Sequence, residues 1–398
     1  MTRIAVVIPH FRQTGFLAEC LDSLLAQTRL PDDVILVDSS PEETGEIMAR
    51  YASHTSATGL VPRVVHLITP AAGVAAARNA GLHATTCELV AFLDADNIAA
   101  SDRIEWQLEV FESNPDIVLS HGPLVPIDRR GEGYSGIAAY ASHNVPVEQQ
   151  LGWLVARNRI ATDTVCARRD LVVALGGFCE TRGVREDYDL WLRMATQGRF
   201  HYVDAPLALY RRHETNLSNN EAYMFAWEAG ALNRLEWPVI ADALRTAYPN
   251  EAERAVIEGE VRLRRGEFGV AEMHFIGLAR LPQATAALFH LAHLAMARGS
   301  LDYAESMLRR ALNDDPDDAG LWNNLGVVLV RVGRVDAAAD AFACAVDLRP
   351  HYRDAAANLD QILHPQEQMR GGPLRSAAWR VTRRRLRPQL IPMMAVAA

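Results

Sequence analysis

The 398-residue sequence contains no run of about 18 consecutive apolar residues, so it predicts no transmembrane helix. Its five cysteines, Cys20, Cys87, Cys166, Cys179 and Cys344, are odd in number, widely spaced and without a CxxC pair. That pattern argues against a disulfide framework and a structural zinc site, and fits a reducing compartment better. Nothing at the start reads as a secretion signal. The apolar run Ile4 to Pro9 is too short for a signal core and no small-residue cleavage site follows it. The expected location is therefore cytoplasmic. There is no Gly-x-Ser-x-Gly elbow, which leaves an α/β-hydrolase without its nucleophile. The net charge of −9 gives no bulk attraction to nucleic acid, and no nucleic-acid partner is expected. His121, His143 and His201 lack metal-ligand spacing and read as structural or acceptor-side.

What is present is ordinary for a globular chain, 49% hydrophobic and 22% charged, and long enough for two or more domains. Ile4 to Pro9 is a short β-branched run stopped by proline, the pattern of a buried parallel strand. Phe16, Leu17, Leu21, Leu24 and Leu25 fall on one face of a helix over 15–26. Val34 to Asp38 reads as a second buried strand. A helix at 42–53, a strand at 63–68, a helix at 73–84 and a strand at 88–93 follow. The alternation predicts an α/β fold, a Rossmann-like, mostly parallel sheet with helices on both faces. Such sheets bind ligands at the carboxyl ends of their strands, where strand order reverses. Asp38, Asp94 and Asp96 all lie at strand ends of this kind. The stretch 112–185 is less regular and is expected to form the acceptor-facing half; a helix at 187–196 and a short strand near 200–210 close the region.

From about 251 to 363 the chain is rich in Ala and Leu and repeats itself. Leu291 matches Leu325, Gly299 matches Gly333, Ala304 matches Ala338, Ala311 matches Ala345 and Pro316 matches Pro350, always 34 residues apart. A looser copy precedes them at Gly266, Phe268, Ala271 and Pro282. Period 34 with small residues at a helix crossing resembles the tetratricopeptide repeat, in which helix pairs stack because no pair can bury its apolar face alone. The alternative is a plain helical bundle.

Six motifs occur in order across roughly residues 1–220: Val6 to Pro9; Val37-Asp38; Gly73 to Gly81 with Arg78 and Asn79; Phe92 to Asp96; Arg185 to Arg193 with Glu186, Asp187 and Asp189; and Tyr210 to His213. The series resembles the family 2 glycosyltransferases of GT-A fold. The resemblance implies a GT-A glycosyltransferase domain over 1–235, followed by the all-α tetratricopeptide-like domain over 251–363.

An anionic diphosphate donor would be repelled by bare carboxylates, so the Asp94-Ala95-Asp96 motif implies a divalent cation, Mn2+ or Mg2+, between acid and phosphate. The resemblance gives metal ligation to Asp96, a place near the ribose to Asp94, and nucleobase reading to Asp38. It puts Pro9 and Arg78 at the nucleotide sugar, and His213 in the metal shell. Arg211 or Arg212 is a candidate for neutralising the leaving diphosphate. Transfer with inversion needs one carboxylate to deprotonate the acceptor hydroxyl. The resemblance places that role on Asp187, with Glu186 and Arg193 in support. The acid cluster is expected to raise the proton affinity of its members. Trp153, near Arg157 and Arg159, is either an acceptor-sugar platform or a core residue. Each motif has a plainer structural reading beside it: a turn at Asp94 and Asp96, a helix N-cap at Asp38 and at Glu186-Asp187, a solvated cation at Arg78.

The expected activity is inverting, metal-dependent transfer from a nucleoside-diphosphate sugar to a hydroxyl of a glycan, lipid or protein. A non-catalytic scaffold working through the repeats is the alternative, with a protein partner or self-association there. A nucleotidyltransferase would show a Gly-rich basic loop near the first strand, and His10 to Gly15 is not one. From Met369 onward the chain holds seven arginines and no Asp or Glu. That tail, within 364–398, reads either as a disordered, solvated segment or as a peripheral contact with anionic lipid at the inner membrane face.

Overall fold

The computed structural model describes residues 2–12, 14–52, 62–69, 73–133, 143–216, 221–282 and 284–364. The Arg-rich tail therefore lies outside the described residues. The described residues divide into two compact units, those within Met1–Asn219 and Trp227–Pro249, and those within Asn220–Ala226 and Asn250–Ala398.

Among the described residues the first unit carries ten strands: β1 (Ile4–His10), β2 (Asp33–Asp38), β3 (Arg63–Ile68), β4 (Leu89–Phe92), β5 (Ile98–Ala99), β6 (Ile117–His121), β7 (Leu124–Ile127), β8 (Cys166–Arg168), β9 (Arg199–Tyr202) and β10 (Ala208–Arg211). Seven form one sheet in the order β3-β2-β1-β4-β8-β6-β9, and β5-β10-β7 form a second. The large sheet is parallel except for β8, which runs antiparallel to both neighbours. The expected mostly parallel α/β fold is thus what forms.

Covering on both faces explains the unbroken apolar strands. Ile4, Val6, Ile8, Val34 and Leu36 share a core with Leu17, Leu21 and Leu24 of the helix Thr14–Leu25. The alternate residues Val7 and Val37 face the helix Val74–His83. There a Cβ on Gly81 would lie 2.4 Å from Val7 Cγ1, so only glycine allows this helix so close to the sheet. The chain leaves β1 on one side for β2 and β3, then returns to its other side as β4. This reversal puts the carboxyl ends of β1, β2 and β4 around one crevice.

Two sequence expectations change. The irregular stretch 112–185 supplies β6, β7 and β8, whose shortness hides them from periodicity. The single strand near 200–210 is two, β9 and β10, in different sheets, separated by a stretch containing Pro206.

The second unit is helical. Glu251–Arg264 and Phe268–Leu278, Thr285–Ala297 and Leu301–Asp314, Ala319–Arg331 and Val335–Leu348 follow one another in pairs, and Arg353–Leu363 comes last. Gly266, Gly299 and Gly333 turn the chain inside the pairs at φ of 79°, 78° and 82°, a left-handed conformation glycine adopts without a Cβ clash. Leu291 and Leu325, Ala304 and Ala338, and Ala311 and Ala345 are all buried in one shared core. No helix among the described residues is long and apolar enough to cross a membrane.

Candidate active site

Four acidic positions gather at the crevice because the sheet brings their elements there. Asp94 and Asp96 follow β4. Glu186 and Asp187 open the helix Glu186–Met194. Arg78, on the helix Val74–His83, joins the two groups. Its Nη2 donates to Asp94 Oδ1 at 2.9 Å and its Nη1 to Glu186 Oε1 at 2.8 Å. The guanidinium is buried and lies 5.4 Å from the centre of the Phe178 ring. Burial works against its charge, but Asp94, Glu186 and Asp187 outweigh burial and raise its proton affinity further. Arg78 is therefore an internal bridge between carboxylates rather than a solvated cation.

A second bridge runs through the turn Thr162–Thr164, which no motif singles out. Thr162 Oγ1 donates to Asp187 Oδ2 at 2.9 Å, while Asp163 Oδ1 accepts the backbone N–H of Asp94 at 2.7 Å. Asp163 is buried, and burial together with the nearby Asp94 pushes its pKa up to about 7.

The acids do not respond alike. Glu186 is raised, chiefly by burial and by Asp187. Asp187 is lowered: burial opposes its charge, but Arg185, Arg78, the Thr162 hydroxyl and the Tyr188 N–H together prevail. The expected rise in proton affinity across the cluster thus holds for Glu186 and reverses for Asp187, because two arginines face it. Arg185 Nε lies 3.2 Å and Tyr188 N 2.6 Å from Asp187 Oδ1.

Asp96 and His213 meet across the crevice floor, Oδ2 to Nε2 at 2.9 Å. The His213 ring stacks on Phe16 at 5.4 Å, and its Nδ1 is 2.9 Å from Thr215 Oγ1. Burial and Asp94 raise Asp96, against the pull of His213. Among the described residues no group of three or more His, Cys, Asp or Glu is placed to hold a metal ion. Arg211 is taken up by internal contacts. It is buried, donates to the carbonyls of Asp96, Asp128 and Arg129 and to Glu19, and lies over Phe16.

Asp38 closes β2, in register with His10 of β1 and Ile68 of β3. Its side chain is 0% exposed. His10 Nδ1 and Ser40 N reach Oδ1 at 3.0 and 2.9 Å; His66 Nε2 reaches Oδ2 at 2.9 Å, and the Thr44 hydroxyl also bonds Oδ2. Burial opposes its charge, but the bonds from Thr44, Ser40, His66 and His10 bring its pKa down to about 2. Pro9 is half-buried one residue earlier in β1. At the same strand ends Phe11 and Ile68 are 60% and 59% exposed, unusual for large apolar groups.

Two candidates lie away from this constellation. Trp153 is a core residue at 6% exposure, among His121, His143 and Arg159, and offers no open face to a sugar. Arg193 pairs with Asp189 at 2.7 Å and caps the carbonyls of Leu175 and Gly177, so it anchors the helix carrying Glu186 and Asp187. Asn79 belongs to the Gly73 to Gly81 motif. It clamps Phe178, accepting from its N–H and donating to its carbonyl at 2.8 and 2.9 Å, and so fixes the ring beneath Arg78.

Residues 5–166 match the model of glycosyl transferase family 2, so the first unit carries a family 2 glycosyltransferase domain. The amylovoran biosynthesis glycosyltransferase AmsE of Erwinia amylovora is 31% identical over 186 residues, 46% of this chain and 65% of AmsE. An uncharacterized glycosyltransferase of Haemophilus influenzae is 29% identical over 200 residues, 50% of this chain and 70% of that protein. The aligned segment thus spans about two thirds of these two relatives. The crystal structure of S. aureus TarS residues 1–349 in complex with UDP-GlcNAc superposes with a TM-score of 0.47 at 16% identity, covering 92% of each chain.

Proposed function

We propose that this chain moves a sugar from a nucleoside diphosphate to an acceptor hydroxyl with inversion at the anomeric carbon. The observation that carries the reading is the closed ring Asp94–Arg78–Glu186–Asp187–Thr162–Asp163–Asp94, which locks the donor-side and acceptor-side acids together. Inverting transfer is a single displacement. It needs a base on the acceptor and stabilisation of the departing diphosphate at a fixed separation, which two rigid bridges provide.

Asp187 takes the acceptor proton on its carboxylate. Its lowered pKa keeps it ionised at neutral pH, and its two oxygens are oriented by Thr162, Tyr188 and Arg185. Glu186 holds Arg78, Arg78 holds Asp94 near the ribose, and Pro9 lines the nucleotide's approach. Asp96 and His213 are the donor set for Mn2+ or Mg2+. One carboxylate oxygen and one imidazole nitrogen, with no third acidic or histidine ligand among the described residues, suit a cation completed by phosphate oxygens. Bound there, the cation supplies positive charge to the diphosphate leaving group.

The acceptor we favour is a growing glycan, in line with the named role of AmsE in polysaccharide synthesis. The helical unit is tetratricopeptide-like in this reading and positions that acceptor or a protein partner. Asp187→Asn is the direct test. Transfer should fall by about three orders of magnitude or more while donor affinity, followed by calorimetry, stays within a few-fold. Unchanged turnover would remove Asp187 from the reaction.

A further inference from the structure

The sequence resemblance gives nucleobase reading to Asp38, but the carboxylate has no lone pair left to offer. A carboxylate has about four acceptor positions. Those of Asp38 are occupied by His10 Nδ1, Ser40 N, Thr44 Oγ1 and His66 Nε2, and no part of the side chain is exposed. Because an ionised carboxylate only accepts, each histidine must donate through the nitrogen that touches it. For neutral imidazoles this fixes both tautomers. His10 is left with a bare lone pair on Nε2 and His66 with one on Nδ1.

Of the two rings, only that of His66 is open at the surface. His10 Nε2 is buried with no hydrogen-bond partner among the described residues, a state that costs free energy unless something fills it. The His66 ring is 22% exposed at the strand ends where Phe11 and Ile68 also stand open. A flat heterocycle lying against those apolar groups would meet the His66 acceptor at its edge.

We propose that His66, held in one tautomer by Asp38 and backed by His10, reads a ring N–H of the donor's nucleobase, and so selects uracil or guanine over cytosine or adenine. Uracil and guanine carry a donor at the ring position of the pairing edge. Cytosine and adenine carry a lone pair there, which would face the histidine lone pair with no hydrogen between them. Asp38 acts through the histidines as a positioning residue. The inference rests on the nucleotide-sugar reading and adds the class of base to it.

Calorimetric titration of the full chain with UDP, GDP, CDP, ADP and N3-methyl-UDP, each with Mn2+, tests it. Either UDP or GDP should bind about tenfold or more tighter than CDP and ADP. If UDP is the preferred ligand, N3 methylation should erase its advantage. His66→Phe should collapse the discrimination to within about twofold. His66→Gln, which can donate to Asp38 through its amide and accept through its carbonyl, should restore most of it. Melting temperatures of both variants report whether the loss is local. Retained discrimination in a folded His66→Phe protein, or a wild type that binds all bases alike, overturns this inference and leaves the transferase reading intact. Failure of every nucleotide to bind the wild type overturns both.

Discussion

At the residue scale the proposed base, Asp187, is defined by what faces it. Arg185 comes from its own helix start, Arg78 from the helix on the sheet, Thr162 from the turn before β8, and the Tyr188 N–H from the adjoining position. Thr162 is the member whose removal is cleanest. Thr162→Val keeps the shape and deletes one hydrogen bond to the charged form of Asp187, which favours the protonated form. The acid limb of kcat/KM should therefore move up by about one pH unit, with kcat reduced about tenfold, while Thr162→Ser keeps the wild-type profile. A valine variant with an unshifted profile would show that the contact serves packing alone. Asp38 gives a second pH signature, in stability. Its pKa is depressed from 3.8 to about 2, so the stabilisation is full above the unfolded value and is lost as pH falls through the folded one. Acid titration of the unfolding free energy should show a loss on the order of 2 kcal/mol between about pH 4 and pH 2, absent in Asp38→Asn. The acids were legible in the sequence because each sits at a fixed place after an apolar strand or before an amphipathic helix. Thr162, Asp163 and His66 were not, because their partners lie 25, 69 and 28 residues away and only the folded sheet joins them.

At the scale of elements the helical unit was legible through its period, since every repeat meets the same packing problem. The structure adds the rule behind it. Gly259 and Phe275, Ala292 and Leu308, and Gly326 and Phe342 stand 16 residues apart, a small residue on the first helix of a pair and a large one on the second. A Cβ on Gly259 would lie 2.5 Å from the Phe275 ring, and one on Gly326 would lie 2.6 Å from the Phe342 ring. The pair Ala292 and Leu308 solves the same crossing with a larger first residue and a smaller second one. Gly326→Ala should destabilise the unit by about 1–3 kcal/mol through overpacking. Adding Phe342→Leu should recover part of that loss, a coupling read by a double-mutant cycle on urea unfolding. Strict additivity would mean the two side chains do not share the space. The middle of the first unit was less legible for the opposite reason. β8 has three residues and β5 two, too few for any period to show, and their register comes from neighbouring strands.

At the scale of the whole chain charge is unevenly written. There is no lysine anywhere, so all 40 basic residues are arginine. Seven of them, Arg370, Arg375, Arg380, Arg383, Arg384, Arg385 and Arg387, fall in a terminal stretch with no acid. The residues before Met369 therefore carry a net −16 of the total −9. An anionic body would be repelled by an anionic bilayer, and only the terminal stretch has the opposite sign. Basic residues near such a surface contribute about 1 kcal/mol each, and the attraction decays within the Debye length of about 10 Å at 0.1 M salt. The full chain should therefore sediment with vesicles rich in phosphatidylglycerol at low salt and be released at about 1 M, where screening shortens that length to about 3 Å. A chain ending at His364 should stay in the supernatant throughout, yet bind nucleotide as the full chain does, because the acids and histidines of the crevice all lie before residue 214. Equal sedimentation of both chains would assign any membrane contact to the folded units instead, and leave the seven arginines without that role.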